Sequence, residues 1–205
     1  MNMQHAKLMA AMTAYDRGET GRIQHFVKVY GLASSIGTLE KLDEKTQFIL
    51  ETAAIVHDIG IKISKEKYGN SNGKNQEMEG PAEVEKMLGA LGGYTKEQIE
   101  RVKYLVGHHH TYDHIDGLDY QILVEADFLV NLYENESRYS TVMETRERIF
   151  RTDAGKQILD DMFGGMYGEN NKIRAKKIEL FDNYFISNSS FNDILEVSLY
   201  NLSFY

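Results

Sequence analysis

The sequence predicts an all-α fold, a compact bundle of several helices, on three observations. Apolar residues recur at three- and four-residue intervals and not in alternation, which is the helical period. The 205 residues hold a single proline and 42% hydrophobic side chains, enough for one core of ordinary size. Helix punctuation also sits at the right places, with Asp, Thr or Pro before the apolar runs and glycines after them. The expected organisation is one domain over 1–165, then a helical appendage over 166–205 that packs on it or takes part in oligomerisation.

Thr20 is placed to cap a helix over 21–36 whose apolar stripe is Ile23, Phe26, Val27, Tyr30 and Ala33, with His25 on its flank. Asp43 is placed to cap a second helix, in which Phe48, Ile49, Thr52, Ala53 and Val56 face inward and His57 and Asp58 occupy the last turn before Gly60. The stretch 61–79, rich in Lys, Asn, Gly and Ser, reads as a long loop at the lip of a site. A third helix starts with Pro81 at its first position, continues through Val84, Met87, Leu88 and Leu91, and stops at Gly92-Gly93. Thr95 and Gln98 form a capping box for a fourth, with Ile99, Val102 and Val106 inward. Continuing its period puts His109 on the inward face.

A fifth helix from about 118 carries Ile122, Leu123, Ala126, Val130 and Tyr133, and Asp127 lies on the same face. Two more follow at 140–151 and 154–163. After Gly164-Gly165 a short basic run (Lys172, Arg174, Lys176, Lys177) and a polar, aromatic segment carry no assignable chemistry.

Composition narrows the chemistry. With no cysteine there is no disulfide framework, thiolate metal site or thiol nucleophile, so metal ligation falls to His, Asp and Glu. The 31 acidic against 23 basic residues, a formal charge of −8, argue against a broad nucleic-acid surface. No stretch is long and apolar enough for a membrane span and the first residues do not read as a targeting signal, so a cytoplasmic location is expected. Gly69 to Lys74 imitates a phosphate loop, but three residues separate its glycines where that motif needs four, and no Ser or Thr follows Lys74.

His25, the adjacent His57 and Asp58, and Asp127 thus lie at or beside the apolar faces of three helices. A buried charged carboxylate is costly unless paired or metal-bound. Imidazoles and carboxylates together suit one Mn, Fe, Co, Ni or Zn ion better than a bare Mg site, with Mg the alternative. Open positions on such an ion would hold a water and lower its pKa towards neutrality, giving a hydroxide for attack on phosphorus. His5 reads as incidental, His108 and His110 as exposed or peripheral, and His110 with His114 as surface histidines in a loop.

This ordered set, with His57-Asp58 inside Ala-Ala-Ile-Val-His-Asp-Ile-Gly and Asp127 inside Val-Glu-Ala-Asp, resembles the HD-domain superfamily of metal-dependent phosphohydrolases over about residues 14–165. The resemblance implies an HD-like helical bundle and His25, His57, Asp58 and Asp127 as ligands of one metal. It also implies Arg22, three residues before His25, as a phosphate contact. Lysine does not directly follow His-Asp-Ile-Gly, as it does in the cyclic-dinucleotide phosphodiesterases of the superfamily, because Ile61 precedes Lys62. Glu-Asp and Glu signatures of other branches are missing as well, so the substrate stays open.

Two-metal relatives place a further His where this chain has Gln76-Glu77-Met78-Glu79, and the pattern favours one metal, with a second through His109 the lesser alternative. Glu79 is then a candidate general base, and Asp58 a candidate to orient the attacking water. Lys62 and Lys74 at the lip, with Arg22 and His109, are candidate substrate contacts. The expected activity is hydrolysis of a phosphomonoester or nucleotide-like phosphate ester. The competing expectation is a regulatory module that keeps the pocket to bind a nucleotide without turning it over. Expected partners are a small phosphorylated substrate and, as an option, further copies of the chain, with neither a membrane nor nucleic acid.

Overall fold

Helix α1 (Met3–Tyr15) opens the chain, capped by the Asn2 side chain, which accepts from the His5 backbone N–H at 2.9 Å. A computed structural model of the protein describes residues 1–164. Among the described residues there are nine helices and no strand, in agreement with the all-α expectation. The appendage over 166–205, with its basic run, lies outside the described residues.

Three helices make the centre. α2 (Thr20–Leu39) packs along both α3 (Glu44–Val56) and α7 (Leu118–Glu134), and α3 in turn touches α7. α7 is buried on nearly all sides from Asp119 to Leu132, as a helix enclosed by its neighbours must be. α4 (Gly60–Tyr68), α5 (Gly73–Leu91) and α6 (Lys96–Val106) form a second layer that reaches the centre through α3. α8 (Tyr139–Ile149) and α9 (Asp153–Gly164) close the far side against α7. Phe26, Ile36, Leu50, Ile55, Leu88, Leu105 and Ile122 are among the fully buried core side chains. No described helix is long and apolar enough to cross a membrane.

Several boundaries follow the local signals. Asp43 caps α3 by accepting from the Lys45 and Thr46 backbone N–H groups, and Thr95 with Gln98 forms the expected capping box on α6. Three expectations are corrected. Thr20 is the first helical residue of α2 and not its cap; Glu19 stands at the cap position without a side-chain cap bond. The expected loop over 61–79 is mostly helix: α4 runs to Tyr68, Gly69 ends it with a φ of 70°, and α5 has begun by Gly73. The lysines misled because α4 buries only a narrow strip, Gly60, Ile61 and Ser64, and leaves Lys62 and Lys67 on the outside.

Pro81 is likewise inside α5 and not at its start, which is set more than two turns earlier by Asn72, whose side chain accepts from the Asn75 N–H at 3.0 Å. A helical proline removes one N–H and crowds the preceding turn. Gly107 lies opposite that spot, where an added Cβ would be 3.0 Å from the Pro81 ring and 3.5 Å from the Glu77 carbonyl oxygen. Close approach also governs the α4–α5 crossing: a Cβ on Gly60 would lie 2.6 Å from the Gln76 carbonyl oxygen. That crossing brings the turn after α3, with its His57 and Asp58, against α5.

Candidate metal centre

His25 comes from the middle of α2, His57 from the C-terminal cap of α3, Asp58 from the turn that follows, and Asp127 from the middle of α7. The structure brings all four together. His25 Nε2 lies 3.1 Å from Asp127 Oδ1, 3.2 Å from His57 Nε2 and 3.7 Å from Asp58 Oδ2. His57 Nε2 is 3.5 Å from Asp58 Oδ2 and 3.6 Å from Asp127 Oδ1. Asn131, one turn beyond Asp127, donates to Asp127 Oδ1 at 2.9 Å.

His109 joins from the turn after α6, with its Nε2 3.6 Å from Asp58 Oδ1. Its inward position arises differently from the expected helical phase. α6 ends at Val106, and the ring is turned in by an Nδ1 bond to the Val106 carbonyl at 2.8 Å. His110, expected at the surface, has both ring nitrogens buried without a hydrogen-bond partner, and its ring stands 4.0 Å from that of His109. The side chain packs where Gly73 leaves room, since a Cβ there would be 2.9 Å from the His110 ring. His108 is turned to Tyr104 and His114 is exposed beside Asp113. His5 is fully buried against Glu51 and Thr52, far from incidental to the packing of α1 on α3.

Electrostatics explain why these groups remain ionised. Burial alone would raise the Asp58 and Asp127 carboxyls, but the imidazoles outweigh it: His57, His109 and His25 for Asp58, and His25 and His57 for Asp127. Both are held well below the usual carboxylate range. Burial disfavours a charged His25, yet its bonds to Asp127 and Glu134 prevail and push it up to about 10. His110 goes the other way, to about 3, through burial and the neighbouring His109.

Which residues could hold a metal follows from the hydrogens. His57 Nδ1 faces the Ala54 carbonyl at 2.9 Å and His109 Nδ1 the Val106 carbonyl, so each ring places its proton there and turns the Nε2 lone pair inward. The His109 Nε2 atom is buried with no hydrogen-bond partner. Lone pairs from imidazoles and carboxylates therefore converge with spacings of 3.1–3.7 Å. Donors bound at about 2.0–2.2 Å to one cation stand roughly 3 Å apart, so the residues present fit a divalent ion. Among the described residues, two groups have potential ligand atoms within 4.8 Å of one another, His25 with His57 and Asp58, and Asp58 with His109 and His110. Asp58 is common to both.

A family model described as HD domain matches residues 22–185. The chain belongs to the HD-domain family. HD domains are typically metal-dependent phosphohydrolases that use divalent metals, and the His and Asp cluster of this HD domain is consistent with such a site. No curated protein and no solved structure gives a significant match.

The other residues expected at the site are more scattered. Arg22 is largely buried and bound by Asp16 at 2.9 Å, with Glu19 at 3.7 Å. Asp16 is raised by burial in spite of Arg22, and Asp58 adds to the rise, so this ion pair borders the centre. Lys62 is exposed, with its ammonium 4.9 Å above the Tyr15 ring, and Lys74 is exposed in the first turn of α5. Glu79 accepts from Lys67 at 2.5 Å and from Tyr68 at 2.6 Å, a clasp between α4 and α5 that occupies both its oxygens.

Glu77 takes the position beside the histidines instead. Its Oε1 accepts from the His110 backbone N–H and the Thr111 hydroxyl, each at 3.0 Å, and so fixes the turn that carries His109 and His110. Glu134 was also missed; it accepts from His25 Nδ1 at 2.9 Å. A signal for it existed, because Asp127, Asn131 and Glu134 follow the i, i+4, i+7 rule and share one face of α7.

Proposed function

We propose that this HD domain hydrolyses a phosphomonoester or nucleotide-like phosphate ester, with a divalent transition metal held by His25, His57, Asp58 and Asp127. The observation that carries the reading is the convergence of the His25 and His57 Nε2 atoms with two ionised carboxylates in a buried cluster. A divalent cation bound there supplies Lewis acidity towards a phosphate oxygen and lowers the pKa of water. Asp58, shared by both groups of potential ligands, accepts a hydrogen bond from the attacking water and orients it. Asp127 holds its place through Asn131 and balances charge at the buried end. Asp58, His109 and His110 would serve a second, weaker cation, a combination with more support than His109 alone because the His110 ring nitrogens are buried beside it without a hydrogen-bond partner.

Anion recognition falls to the rim. Arg22 contributes charge to a bound phosphate on release from Asp16, and Lys62 and Lys74 raise the local potential for an approaching anion. Glu79 serves the α4–α5 clasp and is not assigned the role of base.

The test is metal analysis of full-length protein purified without chelator, followed by a phosphate-release screen over phosphomonoesters and nucleotides with added Mn. Stoichiometric metal and turnover of a member of the panel are expected. Metal without turnover across the panel would favour the regulatory nucleotide-binding module, and absence of metal under these conditions would overturn the ligand assignment.

A further inference from the structure

The three histidines that turn Nε2 inward differ in what holds the opposite nitrogen. His57 and His109 follow the ends of α3 and α6, where the last carbonyls have lost their intrahelical partners and can accept from an imidazole three residues on. His25 is in the interior of a twenty-residue helix, whose carbonyls are already engaged along the chain. Its Nδ1 must find an acceptor on another element. That acceptor is Glu134, the last residue of α7, at 2.9 Å.

The second oxygen of Glu134 is held by Lys28 at 2.6 Å, and Lys28 is three residues after His25 on the same face of α2. The Lys28 ammonium also lies 5.2 Å from the centre of the Tyr133 ring. The carboxylate is thus fixed from two sides, by a buried imidazole and a half-exposed ammonium. An anionic acceptor on the remote nitrogen fixes the tautomer and the ring plane, and it makes Nε2 a stronger donor than a backbone carbonyl would.

We propose that Glu134, clamped by Lys28, is a positioning residue that orients His25 and strengthens it as a metal ligand. The inference rests on the reading of His25 as a ligand. It predicts unequal histidines: His25 gains donor strength from a full negative charge, and His57 and His109 from neutral carbonyls alone. It also makes the C-terminal end of α7 part of the site, although Glu134 itself stays behind the imidazole.

The experiment is a Co(II) titration of chelator-stripped full-length wild type, Glu134→Ala, Glu134→Gln, Lys28→Met and Asp127→Ala, read by chelator competition and by the visible spectrum. Urea unfolding of each metal-free protein runs alongside. Loss of a partner behind a metal-bound histidine costs about ten- to a hundredfold in affinity, and this is expected for Glu134→Ala. Glu134→Gln keeps an accepting oxygen and loses the charge, so it should fall between Glu134→Ala and wild type, with Lys28→Met close to it. Any loss of metal-free urea stability in Glu134→Gln should be smaller than its loss of cobalt affinity, and the cobalt bands should shift.

Cobalt affinity of Glu134→Ala and Glu134→Gln within twofold of wild type, while Asp127→Ala loses the ion, would overturn the positioning role and leave the metal site standing. An affinity loss matched by equal loss of metal-free stability in Glu134→Gln would make the contact purely structural, which also overturns it. If wild type fails to bind Co(II), the reading of the site falls and the inference with it.

Discussion

Two buried carboxylates stand two residues apart on α7, and they do different work. Glu125 is fully buried and Asp127 is 5% exposed. Successive helical residues turn by about 100°, so the two point to nearly opposite sides of α7. Glu125 meets donors only. Its Oε1 accepts from the Gln121 side chain at 2.8 Å and from the Arg151 and Thr152 backbone N–H groups at 2.6 and 2.9 Å, and its Oε2 accepts from the Thr152 hydroxyl. It therefore ties the turn between α8 and α9 to the central helix. Asp127 has one such donor, Asn131, and otherwise faces the imidazoles of His25 and His57. Burial alone does not mark a functional acid; the chemistry of the surrounding groups does.

The largest effect is expected at Asp127. Asp127→Ala should lose metal retention and any phosphohydrolase activity with helical content near wild type by circular dichroism. Metal occupancy at the wild-type level in this variant would erase the distinction between the two acids. Glu125→Ala should show the reverse pattern, because it leaves buried backbone N–H groups unpaired. A destabilisation of about 3 kcal/mol in urea is expected, with metal content per folded molecule unchanged.

Gly155→Ala probes the same structural acid from the other side. An added Cβ would stand 2.6 Å from the Thr152 hydroxyl and nearer still to Glu125 Oε2, an atom of a carboxylate held by the Arg151 and Thr152 hydrogen bonds. The expected cost is about 1–3 kcal/mol, read as a lowered urea midpoint, again without loss of metal. Wild-type stability in this variant would show that the Glu125 cradle is looser than its contacts indicate.

A further contrast between the two acids concerns pH. His25 in the metal-free protein is raised from its ordinary 6.5 to about 10, with burial opposing and Asp127 and Glu134 prevailing. A raised folded-state value gives stability that is fully present below the unfolded value and is lost as pH rises towards the folded one. Metal-free protein should therefore lose stability between about pH 6.5 and 10 by this group, and Asp127→Ala should flatten that slope. Glu125→Gln should leave it intact. Equal slopes in wild type and Asp127→Ala would show that Asp127 does not hold the His25 proton.

Much of the architecture was legible because it is local. The Asp43 cap, the Thr95–Gln98 capping box and the apolar faces of α2, α3, α6 and α7 depend on neighbours within a turn or two. The helical span 60–68 was not legible, since its buried strip is short and its lysines resemble a loop, and α1 was not foreseen although it buries Leu8 and Met12. At the candidate site, the phases of His25, Asp127 and the His57-Asp58 pair placed polar groups on inward faces. Glu79 and Glu77 could not be told apart by sequence, because only the crossing of α5 over α4 and the turn after α6 decides which carboxylate meets Lys67 and which meets His110.

By itself, then, the sequence determined the helices, their inward faces and the imidazole and carboxylate chemistry that those faces carry, since backbone periodicity and side-chain type are local properties. Only the tertiary structure decided the partners. His25 meets Glu134 across 109 positions of chain, and Glu125 meets Thr152 across 27. Those pairings depend on how helices cross, and it is the pairing that makes one buried acid a strut and leaves the other facing a potential cation site.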